Sequence, residues 1–135
     1  MTAGGRLAST TPFLPTGRIV PVEGVYDLRG GKSLDGMNLD DIFTRVEADA
    51  DGLARCVIAD EGGGTETVVE FSPDRLPHVV VYTPPAPRRA VCVEPNSCPT
   101  DAFNLQARGI ESDVIVLGAG EEVRFEIGIY TRRAT

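Results

Sequence analysis

The densest set of groups able to do chemistry is the run Glu94-Pro95-Asn96-Ser97-Cys98-Pro99-Thr100-Asp101-Ala102-Phe103-Asn104. It follows directly on the apolar residues 90–93 (AVCV), so Glu94 stands where a strand gives way to a loop. Carboxylates placed at such mouths can be partly desolvated, which makes them usable as bases. The alternative is a solvated turn whose Asp and Asn cap local amides, and spacing alone favours that alternative. A second set, Asn38-Leu39-Asp40-Asp41-Ile42-Phe43, places adjacent carboxylates before an apolar pair. Asp40 is there a candidate acceptor for ligand hydroxyls, although a cap or turn is the better reading of the spacing by itself. His78 is the sole histidine and so the one side chain that titrates near neutrality without perturbation. A lone histidine at a strand start is more often structural than catalytic.

Other chemistries find no support. Gly62-Gly63-Gly64 joins two strand-like runs and opens no helix, so it does not form a phosphate cradle or a dinucleotide fingerprint. No nucleophile triad and no calcium loop of alternating acids is present. Cys56, Cys92 and Cys98 are odd in number, which argues against a disulfide framework. Cys92 and Cys98 have a loop spacing that metal ligands can use, but no second Cys pair or His cluster accompanies them, so no metal site and no cofactor are expected. Acids exceed bases, 20 against 13, for a net charge of −7, and both nucleic acid and an anionic membrane call for the opposite sign. No apolar run is long enough to span a bilayer. The opening residues, MTAGGRLASTTPFLPTG, lack the apolar middle of a secretory signal, and a cytoplasmic chain is the default expectation.

The elements that must position these groups are short. Gly 15 and Pro 10 in 135 residues cut the chain into pieces that suit strands and turns better than long helices. Residues 1–13 read as an irregular lead-in to one domain over 14–135. Strands are expected at 18–22 and 25–28. Residues 33–46 read as a loop with at most one helical turn, and a strand starts near Ile42. Residues 53–60 and 65–71 form a hairpin around the glycine run. Further strands follow at 79–83, stopped by Pro84-Pro85, and at 90–93. A last hairpin pairs 113–117 with 122–131, where Val123, Phe125, Ile127 and Ile129 alternate with Arg124, Glu126 and Gly128. Period two puts one face of that strand on a core. The sum is an all-β, antiparallel sheet protein, a β-sandwich rather than a barrel.

At these same residues the chain resembles a known family. LPTGRIVPVEGVYDLR, LDDIF, VVVYTPP, AVCVEPNSCPTDAFNL and VLGAGEEVRFEI occur in the order and spacing of the C-terminal half of aldose 1-epimerases, the galactose mutarotase-like proteins. The resemblance runs from about Leu14 to Tyr130. It implies a large antiparallel sandwich that binds a hexose across an open cleft and interconverts the α and β anomers without a cofactor. In that chemistry a carboxylate takes the C1 hydroxyl proton while an imidazolium protonates the ring oxygen; the ring opens, C1–C2 rotates, and reclosure gives the other anomer. Carried over by motif, Glu94 matches the general base and Asp40 the aspartate that accepts hydrogen bonds from sugar hydroxyls. Asp101 and Asn104 then shape the Glu94 loop and complete the substrate-binding set. The resemblance reverses the bland readings of Glu94 and Asp40.

The departures carry their own expectations. The family's arginine and two histidines, one of them the acid, belong to an N-terminal half with no counterpart in this sequence. His78 falls on no family catalytic motif, and Val80 stands where many members have glutamine. The chain therefore reads as the C-terminal part of a mutarotase, with a separate N-terminal half or a homo-oligomer as its partner, since unpaired strand edges favour association. Two other readings stay open. One is a non-catalytic carbohydrate-binding sandwich module, for which Phe43, Tyr82 and Phe103 are the available stacking platforms. The other is a structural β-domain without a ligand.

Overall fold

Two runs set the pattern: ARCVIAD and TETVVEF alternate or mass β-branched residues, are joined by a glycine-rich turn, and pair in full register from Ala54↔Phe71 to Asp60↔Thr65. The computed structural model describes residues 3–10 and 14–134. Its elements are β1 (Ala3–Thr10), β2 (Leu14–Val20), β3 (Asp40–Val46), β4 (Ala54–Asp60), β5 (Thr65–Phe71), β6 (His78–Tyr82), β7 (Cys92–Asn96), the short helix α1 (Ala102–Ala107) and β8 (Ile127–Arg133). All strand pairs are antiparallel. They form a five-stranded sheet in the order β2-β1-β3-β6-β7 and a three-stranded sheet in the order β4-β5-β8. The architecture is the all-β sandwich the sequence implies.

The core lies between the sheets. Phe43, Val79 and Val81 from the larger sheet meet Ala54, Cys56, Val69 and Phe71 from the smaller one. Residues directly opposite one another in an antiparallel pair share a face. Because Phe43↔Val79 and Asp41↔Val81 take the inner face, Asp40, Ile42 and Thr44 turn outward with their partners Tyr82, Val80 and His78. Asp41 reaches the rim of the core, where Arg6 Nη1 lies 2.7 Å from its Oδ1 and the guanidinium sits 3.9 Å from the Tyr26 ring centroid.

Several local expectations are corrected. The part of the lead-in that is described is strand β1, not irregular chain; residues 1, 2 and 11–13 lie outside the described residues. Gly5 permits the close approach of β2, since a Cβ there would run into Ile19 Cγ2 of that neighbouring strand. The strand expected at 25–28 is a 3-10 turn over Gly24–Tyr26, set by Gly24 at φ +58. The strand expected at 90–93 starts at Cys92 and carries Glu94 in its middle, because Val80 pairs with Glu94 across the ladder. The last hairpin does not form. Residues 113–126 contain no strand, and β8 pairs with β5. Phe125, Ile127 and Ile129 are 38%, 43% and 70% exposed, so the expected core face of that strand is largely uncovered.

Candidate functional site

The outward face of β3, β6 and β7 reads as three rows. Asp40, Tyr82 and Cys92 form one, Ile42, Val80 and Glu94 the next, and Thr44, His78 and Asn96 the third. A cleft of about 620 Å³ opens over them, lined by Asp40, Val80, Tyr82, Glu94 and Asn96 together with Cys98, Pro99 and Thr100 from the loop after β7. That volume lies within the usual range for small-molecule sites, about 300–1,000 Å³. Asp40 and Glu94, distant in sequence, thus stand over the same opening. Among the described residues neither carboxylate has a cation or donor as a partner, so both keep their lone pairs for a ligand.

The backbone beneath Asp40 is held firmly. Thr83 Oγ1 accepts the Leu39 N–H at 2.8 Å and donates to the Met37 carbonyl at 3.0 Å. The Thr83 N–H in turn donates to the Leu39 carbonyl at 2.9 Å. Leu39 and Thr83 are both buried, and the clamp extends the β3–β6 ladder one step past the Asp40–Tyr82 pair. Beyond it Pro84-Pro85 ends the strand, since proline donates no ladder hydrogen bond. On the other side, Asn96 Nδ2 donates to the Glu94 carbonyl at 3.0 Å, which fixes the chain on which Glu94 rides.

Asp101 and Asn104 stand beside the cleft, outside its lining. Asp101 has φ +62 and precedes α1, a left-handed conformation that Asp tolerates better than most residues. Asn104 Nδ2 donates to the Asp101 carboxylate. The pair steadies the start of a helix that buries Ala102 and Leu105 beneath it. The helix ends at Ala107, Gly109 follows at φ +74, and the chain then packs Ile110 against Gly17, where a Cβ would lie 2.7 Å from Ile110 Cγ2.

His78 is 4% exposed and does not line the cleft. Its Nε2 lies 2.8 Å from Asp113 Oδ2, an arrangement in which the ring tethers the strandless segment after α1 to the sheet; Nδ1 is buried without a partner. Of the three aromatic platforms named from the sequence, Phe43 is buried in the core and Phe103 is 78% exposed. Tyr82 alone reaches the cleft. Sequence reasoning noticed it as an aromatic and missed its place opposite Asp40; the even spacing of Val80 and Tyr82 along one strand was the available signal. Cys92 and Cys98 are free thiols, and no group of metal-binding side chains occurs among the described residues. Among the same residues no helix is long and apolar enough to cross a membrane.

The family model for aldose 1-epimerase matches residues 2–130, nearly the whole sequence, and the chain belongs to that family. No match was found among curated proteins.

Proposed function

We propose that this chain binds a hexose in the Asp40–Glu94 cleft and catalyses interconversion of its anomers, as an aldose 1-epimerase does. One observation carries the reading: two carboxylates without protein partners, brought to a single opening by the pairing of β3 with β6 and of β6 with β7. Glu94 is the base that takes the C1 hydroxyl proton. Asp40 accepts hydrogen bonds from ring hydroxyls and orients the sugar. Asp101 and Asn104 act on substrate only through the loop they steady. Galactose and glucose are the hexoses to try first, and residues 14–135 correspond to the C-terminal part of such a domain.

A second reading, a non-catalytic hexose-binding module, is favoured by one feature, that the lining contains no imidazole. Titration of galactose and glucose followed by ligand-observed NMR, with polarimetry of freshly dissolved α anomers, separates the two. Asp40→Ala is expected to weaken binding by about 1–3 kcal/mol, the cost of losing a hydrogen bond to a charged group. Glu94→Gln is expected to leave affinity within a few-fold and remove the rate above buffer, because it deletes an interaction made in the transition state. Unchanged affinity in Asp40→Ala would put the sugar elsewhere. A full rate in Glu94→Gln would remove the base assignment.

A further inference from the structure

We propose that His78 and Asp113 form a latch that holds the wall of the cleft, which makes His78 a positioning residue although it stands outside the lining. The inference rests on the reading in which a hexose occupies the cleft between Asp40 and Glu94. The larger sheet is covered on both faces. Its inner face meets the core, whereas Leu7 and Ile42 turn outward and are nevertheless buried, outside the cluster between the sheets. Thr44 and His78, on the same outward face, are buried too. The cover is chain that follows β7: Ile110 lies against Gly17 of β2, and Asp113 meets His78 of β6. Because β1 and β3 lie between those two strands, residues 110–113 run across the buried side chains.

That cover begins at the cleft. Cys98, Pro99 and Thr100 line the opening, Asp101 leads into α1, and the Ile110 N–H donates to the Leu105 carbonyl at 3.0 Å as the chain leaves the helix. Wall and latch are thus the two ends of one stretch, 98–113. His78 Nε2 donates to Asp113 Oδ2 at 2.8 Å; a carboxylate only accepts, so Nε2 carries the proton. Nδ1 is buried without a hydrogen-bond partner among the described residues, which leaves Asp113 as the polar contact that orients the ring. Asp113 itself takes φ +50, a conformation that costs a non-glycine residue energy and persists where surrounding contacts offset it. His78 also stands opposite Asn96 in the ladder, and Asn96 lines the cleft and donates to the Glu94 carbonyl. The latch therefore lies one strand from the lining at one end and is tied to the facing wall at the other.

Losing the latch acts on the wall and not on the reacting groups. Removing either partner frees the far end of the stretch, and Cys98–Thr100 then spend part of their time withdrawn from the sugar. Apparent affinity falls by the fraction of molecules whose wall is in place. The turnover of bound sugar changes little, because Asp40 rides on β3 and Glu94 on β7. A residue needed only for folding behaves differently. Its loss lowers the amount of folded protein, hence the apparent kcat, and leaves KM where it was.

The test measures amide hydrogen exchange by NMR, affinity for galactose and glucose, and polarimetric kcat and KM, all in the full chain. His78→Leu and Asp113→Ala remove the latch. His78→Gln keeps a side-chain N–H donor, and Asp113→Asn keeps an acceptor that tolerates positive φ. In the two removals, amides over 98–113 should exchange about tenfold faster or more, the worth of a hydrogen bond to a charged group, while β4 and β5 keep their protection. Sugar dissociation constants and KM should rise about three- to tenfold with kcat within about twofold, and the conservative variants should restore both. The double variant should be no worse than either single one, since both remove the same contact. Asp113 is half-exposed, so Asp113→Ala decides the matter even where His78→Leu does not fold. Unchanged exchange over 98–113 in Asp113→Ala would overturn the latch. Faster exchange beside an unchanged affinity, or a lowered kcat at constant KM, would overturn the positioning role, as would additive effects in the double variant. A folded wild-type chain that binds neither hexose would overturn the proposed function instead; the exchange rates would then still support the latch or overturn it.

Discussion

Cys56, Val69 and Ile129 stand side by side on the inner face of the smaller sheet, yet they are 5%, 6% and 70% exposed. The next row repeats the gradient: Ala54 and Phe71 are each 1% exposed, whereas Ile127 is 43% exposed. The three strands are continuous, so the gradient comes from the opposite layer. Phe43, Val79 and Val81 share one buried cluster with residues of β4 and β5, and among the described residues that cluster takes in none of β8. Alternation tells which way a side chain points along a strand. It does not tell whether another layer is there to receive it.

That difference can be broken by substitution, and the covered end should respond most. Phe71→Ala removes a large side chain from between the sheets and is expected to cost about 3–5 kcal/mol, read as a lowered urea midpoint. A cost near zero would mean that the sheets do not pack over β5 as described. Next comes the thiol at the covered end of the other row. Burial pushes the Cys56 pKa up from 9.0 to about 11. The unfolded chain therefore releases this proton first, and stability should fall as pH rises from about 9 to about 11. The loss attributable to Cys56 is about 2–3 kcal/mol. Comparing stability against pH for wild type and Cys56→Ala isolates that part, and parallel curves would show that the thiol is not buried. The smallest effect belongs to the open end of the same row. Ile129→Thr keeps the β-branch and should change stability by no more than about 0.5 kcal/mol, as exposed substitutions do. A loss well above that would show that Ile129 is covered in solution.

The outward face of the larger sheet shows the other side of the same lesson. Glu94 and Asp40 were singled out from local composition, where a solvated turn was the stronger reading of each. The resemblance reverses that reading, and the pairing of β6 with both β3 and β7 sets both residues over one cleft. Tyr82 was one aromatic among three by sequence. Register made it the neighbour of Asp40, sent Phe43 to the core and left Phe103 in solvent. His78, which the sequence reads as more often structural than catalytic, is tied to Asp113, a residue of a segment that the sequence assigns to a hairpin. That hairpin does not form: residues 127–133 pair with β5 on one edge, and the other edge of β8 has no partner strand among the described residues.

The sequence by itself determined the class of fold, the strands β4, β5 and β6 to within about a residue, and the two carboxylates worth watching. Those features follow from short-range physics: β-branched runs favour extended chain, and glycine and proline end it. Tertiary structure alone decided that residues 3–10 form a strand, that Glu94 lies within β7 rather than after it, that Tyr82 shares the cleft and that β8 stands half uncovered. Each of these depends on a partner far along the chain, and a strand's edges and faces carry no mark of which partner will claim them.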